Sequence, residues 1–135
     1  MKYLIALTLL INTTAYAGEI MQININGKDY VAQMDDNATA ADIMAMLPAT
    51  VDMTKFAGHE YYGTLPRAVR TDAPHTSKLQ AGHLYYWDGG DTFVINYADY
   101  DISPYSSIHI GEITEPAAME FLRGAGNKIT ITLKK

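Results

Sequence analysis

Residues 82–97 read Gly82-His-Leu-Tyr-Tyr-Trp-Asp-Gly-Gly-Asp-Thr-Phe-Val-Ile-Asn-Tyr97. Two apolar, aromatic-rich runs flank the turn from Asp88 to Asp91, so the segment predicts a β-hairpin whose strands suit a pleated, mostly buried surface. The only Trp, three of the ten Tyr and one of the three Phe fall within it. Alternation puts Tyr85 and Trp87 on one face of the first strand and Tyr86 on the other, so one face serves the core. The Gly and Asp residues between the runs supply turn geometry.

Working outward, Met21–Ile25 and Lys28–Met34 each alternate apolar and polar residues around Asn26-Gly27. That pair predicts a second hairpin, because a tight type I′ turn needs positive φ at both central residues. Thr39, three residues before Asp42, opens a short helix in the manner of a capping box. Ile43, Met44, Met46 and Leu47 supply its apolar face, and Pro48 ends it. Ala49–Lys55 alternates again, and His59–Gly63 forms a short strand carrying Tyr61 and Tyr62. Leu65–Gln80 has no periodicity and reads as a long loop, a class that is often functional. Ala98–Ser107 is a second irregular stretch.

Ile108–Ile113 reads as a strand with Ile108 and Ile110 on one face. Pro116 sits in the first turn of a second helix, where its missing amide does no harm, and Gly124 suits a left-handed stop. Lys128–Leu133 closes the chain as a strand with Ile129, Ile131 and Leu133 inward. About eight strands and two short helices, without repeat or linker, predict one domain built as an antiparallel barrel or sandwich.

The first 17 residues stand apart. Lys2, a nine-residue apolar run from Tyr3 to Ile11, and Ala15-Tyr16-Ala17 form the pattern of a cleaved secretory signal. A spanning helix needs about 20 apolar residues, so the run is too short to anchor the chain. The expected domain is residues 18–135, located in the periplasm or outside the cell and free of the membrane after cleavage. Losing Lys2 takes the formal charge from −5 to −6. An acidic chain without a basic run argues against nucleic acid as a partner. The absence of cysteine excludes disulfides, thiol catalysis and thiolate metal sites.

The order of several short motifs resembles the bacterial cyclophilin-like domains. These are Asn37-Ala-Thr-Ala before the first helix, Leu47-Pro48 ending it, Gly63-Thr-Leu-Pro-Arg67, Ala81-Gly82, Tyr85-Tyr-Trp87, and Tyr105-Ser-Ser107 leading into Gly111-Glu-Ile113. The resemblance implies a mostly β, closed, antiparallel eight-stranded barrel capped by two short helices. It does not extend to the isomerase signature of catalytic cyclophilins. Asp88 stands where they carry Gln, Phe93 follows Thr92 rather than preceding it, and positions 79–81 read Leu-Gln-Ala where the upstream catalytic Arg is expected.

Candidate ligand-binding residues are Tyr61, Tyr62, Arg67, Arg70, Tyr86, Trp87, Tyr105 and Ser106. The aromatics offer a floor for a peptide, glycan or planar ligand, or else pack in the core or barrel wall. The arginines either grip a carboxylate, phosphate or peptide carbonyl, or form surface ion pairs with nearby acids. His59, His75, His83 and His109 lie in four different elements without metal-ligand spacing, so no metal or cofactor is expected. Asp88, Asp91, Asp99 and Asp101 suit turns better than calcium, and Ser106 and Ser107 have no triad partners in a recognised order. The expectation is a non-catalytic module binding a short peptide or small anionic ligand in an external groove. The alternatives are a divergent prolyl isomerase using Arg67 and a structural interaction module; the oligomeric state stays open.

Overall fold

The computed structural model describes residues 18–135; the expected signal at residues 1–17 lies outside the described residues. β1 (Ile20–Ile25) and β2 (Lys28–Met34) form the predicted hairpin, with Asn26 and Gly27 at φ 53° and 85°. α1 (Ala38–Ala45) follows, capped by Asn37, whose side-chain oxygen accepts from Ala40 N at 2.8 Å. Thr39 was the expected cap, but it already lies inside the first turn, and its hydroxyl donates to Arg70 O at 2.6 Å. Only Asn37 has the extended backbone a cap requires.

β3 (Ala49–Phe56) and β4 (Glu60–Thr64) are joined through Ala57 and Gly58, both at positive φ. The long loop holds two minimal strands, β5 (His75–Thr76) and β6 (Lys78–Leu79). β7 (His83–Trp87) and β8 (Thr92–Asn96) are the aromatic hairpin. β9 (Tyr100–Asp101), β10 (Ser107–Ile113), α2 (Pro116–Gly124) and β11 (Lys128–Lys134) complete the chain. Gly124 is not a left-handed stop: it remains helical, and Ala125 leaves in extended conformation directly toward β11.

Strands pair in the order β2-β1-β11-β3-β4-β8-β7-β10, and β10 pairs back onto β2. This is a closed, antiparallel, eight-stranded barrel, and closure removes its free edges. Met21, Ile23, Met53, Tyr61, Tyr86, Phe93 and Ile131 fill the interior, joined by Ile43 of α1 and Leu122 of α2. The predicted inward alternation of β11 is present, with Ile131 and Leu133 buried and Ile129 half-buried.

β10 departs from simple alternation. Its register against β7 skips Ile110 between His109 and Gly111, so Ile110 is the extra residue of a β-bulge. The shift lets Ile108, Ile110 and Ile113 all turn inward. It also presses Gly111 onto β2, where an added Cβ would lie 2.6 Å from the Gln33 carbonyl oxygen. Because the obstruction is backbone, it cannot move aside as a side chain does. We therefore expect Gly111→Ala to lower stability by about 3 kcal/mol in urea unfolding, an overpacking effect at the barrel seam. Gly124→Ala, with open space around it, is the matched control and should leave stability unchanged or raise it by up to about 1 kcal/mol.

Candidate functional site

The outer face of β7 and β8 is partly covered, at Tyr85 and Val94. β6 pairs with β9, setting Leu79 opposite Tyr100 and Lys78 opposite Asp101. Ile102 N donates to Ser77 O at 2.9 Å and Ala81 N to Asp99 Oδ1 at 2.8 Å, so the two irregular stretches fasten to each other. Under them Leu79, Tyr85 and Val94 form a second small core outside the barrel, with Ile102 packed against it. Beside this cover lies an open groove of about 600 Å³. Glu60, Tyr62, Val94, Thr92, Trp87 and Ser107 line it from the barrel strands. Phe56 and His59 reach it from the β3–β4 hairpin, and Tyr100, Asp101, Ile102, Ser103 and Tyr105 from the covering loop.

Of the eight sequence candidates, Tyr62, Trp87 and Tyr105 come together in this groove. The Trp87 indole lies across Gly89, where a Cβ would approach its ring to 2.5 Å. Gly89 is thus small to make room for that ring, while the positive φ of the turn falls on Asp91. Tyr61 and Tyr86 face the opposite way and are core residues. Tyr61 Oη donates to Gly126 O at 2.6 Å and Tyr86 Oη to Asp91 Oδ1 at 2.9 Å, and burial pushes the Tyr86 hydroxyl up to about 12. Ser106 is half-buried, and its neighbour Ser107 takes the groove position.

The arginines lie elsewhere. Arg70 makes a forked ion pair with Asp42 of α1, with Nη2 2.8 Å from Oδ1 and Nε 3.0 Å from Oδ2, and these contacts pull the Asp42 carboxyl down to about 2. Arg67 Nη2 points to Ala45 O, also on α1, at 3.5 Å. Neither lines the groove, so the expected convergence of Arg67 with the tyrosines is absent. The physical reason is local: the stretch after β4 is tied back to α1 through Thr39, Asp42 and Arg70.

His59 and Glu60 escaped the sequence reading of the site. Asn96 Nδ2 donates to Ala98 O at 2.8 Å, which turns Asn96 Oδ1 toward His59 Nδ1, also at 2.8 Å. His59 Nδ1 therefore carries the hydrogen, and Nε2 keeps a lone pair. That Nε2 is buried and has no partner among the described residues. The imidazole is stacked under Tyr100 with ring centres 4.0 Å apart. The Glu60 carboxyl lies 3.4 Å from His59 Nδ1, and burial pushes it up to about 7.

A second constellation sits where the bulge reshapes β10. His83 Nδ1 lies 2.7 Å from His109 Nε2, His109 Nδ1 meets the Asp35 carboxylate, and Glu112 is 3.9 Å from His83 Nε2. No spacing in the sequence joins these residues; the β7–β10 register does. Among the described residues no group of three or more His, Asp or Glu side chains is arranged to hold a metal ion.

The match to known proteins follows this architecture. A model of the cyclophilin-like family matches residues 23–134. The chain belongs to the cyclophilin-like family. A search of curated proteins gave no match. The hypothetical protein AF2241 from Archaeoglobus fulgidus, known from a solution structure, is similar over 89% of this chain and 96% of its own, at 17% identity and TM-score 0.68. A structure of McbB in complex with tryptophan is similar over 85% of this chain and 44% of its own, at 10% identity and TM-score 0.61. At such identities the likeness concerns the cyclophilin-like barrel alone.

Two pH effects of opposite sign follow for this cyclophilin-like chain. Glu60 holds its proton up to about 7 when folded but releases it near 4.5 when unfolded. Its burial thus opposes folding increasingly from pH 4.5 to 7 and fully above. Glu60→Gln should therefore raise stability at pH 8, by up to about 3 kcal/mol, and the gain should vanish below pH 4.5 in urea titrations. His83 is shifted the other way, by burial and then by His109, so the folded state resists its protonation. Stability should fall as pH drops through about 6.5, the unfolded histidine value. In His83→Gln that decline should flatten.

Proposed function

We propose that the protein is an exported, non-catalytic binding module whose external groove takes an aromatic side chain of a short peptide. One observation carries the reading. Among the described residues, seven large apolar side chains are exposed, and five of them, Phe56, Tyr62, Trp87, Tyr100 and Tyr105, line this groove. Scattered exposed aromatics need no explanation, but a cluster in a concave site marks a contact surface. Rigid rings on fixed strands lose little conformational freedom on binding. Phe56 and Tyr62 already meet edge to face with centroids 5.9 Å apart, a geometry into which another ring fits.

Charge narrows the occupant. The groove lining contains Glu60 and Asp101 but no Lys or Arg, so an anionic ligand has nothing there to grip. The same observation leaves a divergent isomerase without the guanidinium it would use to hold a twisted amide. Export rests on the Ala15-Tyr16-Ala17 pattern and is tested by N-terminal sequencing of the mature protein, which should begin at Gly18.

Trp87 is the reporter for binding. Titrating amidated tripeptides should give a saturable fluorescence change for those bearing Phe, Tyr or Trp, and none for Ala analogues. Free tryptophan, present in the McbB structure, serves as a small probe. Tyr62→Ala and Tyr105→Ala should each weaken binding about tenfold, as for aromatic contacts at an interface centre. Arg67→Ala should leave it unchanged. Loss of binding in Arg67→Ala, or no saturable change with any aromatic probe at millimolar concentration, would refute the groove.

A further inference from the structure

Building on that reading of the groove, we infer that its ligand carries a free ammonium group beside its aromatic ring, as a peptide with an aromatic first residue does, and that Glu60 receives it among the faces of Phe56, Tyr62 and Tyr100.

The donor and acceptor inventory of the groove end near Glu60 leads there. Glu60 stands opposite Phe56 across the β3–β4 pair, and Tyr62 follows two residues later on the same outward face of β4. Its side chain is only 13% exposed, yet no hydrogen bond among the described residues reaches its carboxyl. A largely covered carboxyl left this way lacks the partner that normally accompanies an acid shielded from water. The adjoining His59 adds to the demand. With Nδ1 committed to Asn96, its unpaired Nε2 is a second acceptor without a donor, beneath the half-exposed Tyr100 ring. A carboxyl bordered by π faces, with no free donor beside it, is complementary to a group that is all donor and positively charged. An ammonium meets that description, attracted by the carboxylate and by the negative ring faces together.

Asp101 lines the groove too, but its oxygens are already engaged. Oδ1 accepts from Ser103 N and Oγ at 2.9 and 2.6 Å, and Oδ2 lies 3.3 Å from Lys78 Nζ. The other titratable neighbour of Glu60 is Tyr97, whose hydroxyl is raised by burial and by Glu60 itself. Lys55 Nζ sits 5.7 Å from the Tyr97 ring centre but donates to the carbonyls of Arg123 and Ala125. Among the described residues the one possible cation beside the Glu60 carboxyl is His59, 3.4 Å away through an Nδ1 already committed to Asn96. Burial pushes the Glu60 carboxyl up to about 7, so an ammonium bound beside it displaces a proton at lower pH.

The test is isothermal titration calorimetry on the mature chain with Phe-Gly-Gly amide, its N-acetyl counterpart, phenethylamine and 2-phenylethanol. The two amines should bind at least tenfold more tightly than their uncharged counterparts. Runs at pH 6 in two buffers of different ionisation enthalpy should show close to one proton released per amine bound. Glu60→Gln should erase both the preference and the proton release while leaving acetyl-peptide binding intact. Tighter binding of the peptide than of phenethylamine assigns the amine to a peptide terminus, and the reverse assigns it to a free arylalkylamine. Equal binding of charged and uncharged partners would overturn the ammonium site while leaving the aromatic groove standing. Failure of all four would remove the groove itself. An amine preference surviving in Glu60→Gln would transfer the role to Asp101 and overturn the assignment.

Discussion

Closure of the barrel through β10 is the constraint on which the rest of the molecule depends. This strand pairs with β2 on one side and β7 on the other, so both seams must be satisfied by seven residues. A regular strand cannot bury Ile108, Ile110 and Ile113 together, because alternation puts the last of them on the opposite face. The bulge supplies the missing residue, and Gly111 supplies the closeness to β2. Its by-product on the outside is the approach of His109 to His83, since the bulge changes which outward side chains are neighbours. Core geometry thus sets surface chemistry at this seam.

The aromatic hairpin works under a similar division. Its inward residues, Leu84, Tyr86, Phe93 and Ile95, belong to the barrel core. Its outward residues divide again: Tyr85 and Val94 are covered by Leu79 and Ile102, whereas Trp87 stays at the groove. The cover depends on two-residue strands and a few backbone hydrogen bonds, held down by one small apolar cluster. Segments with so few buried contacts open more readily than barrel strands. The wall that carries Tyr100 and Tyr105 is therefore the part of the groove best able to adjust to an occupant, while the floor stays fixed.

The strands and helices were legible in the sequence because their signals are local, whereas closure into a barrel, rather than a sandwich, came from the family resemblance. Alternation marks inward residues, Asn26-Gly27 marks a turn, and Pro116 marks a helix start. The β10 bulge was not legible, since nothing in Ile108–Ile113 states which two strands it must satisfy. The site was legible in part. Tyr62, Trp87 and Tyr105 are there because outward aromatics on strands and loops have few other uses. Tyr61 and Tyr86 went inward because parity along a strand decides facing, and parity needs one anchored residue before it can be read. Arg67 and Arg70 were misplaced because their partners on α1 are distant in sequence, with Asp42 lying 28 residues before Arg70. His59 and Glu60 were missed because the bond that orients His59 comes from Asn96, 37 residues away.

A largely covered acid without a hydrogen bond and a buried imidazole nitrogen without a donor are both unfavourable to folding. Natural chains remove such defects readily by substitution to Gln or to an apolar residue, unless a function retains them. Here the two lie on adjacent residues that line one groove, beside five of the seven exposed large apolar side chains among the described residues. A structural role for either residue would predict the contrary arrangement, with Glu60 meeting a strong cation and His59 Nε2 meeting an N–H or O–H donor. The Arg70–Asp42 fork on α1, away from the groove, shows that the chain does form close ion pairs. The unmet Glu60 carboxyl at the edge of an aromatic groove thus marks the place where the fold has left its hydrogen bonding to be completed by another molecule.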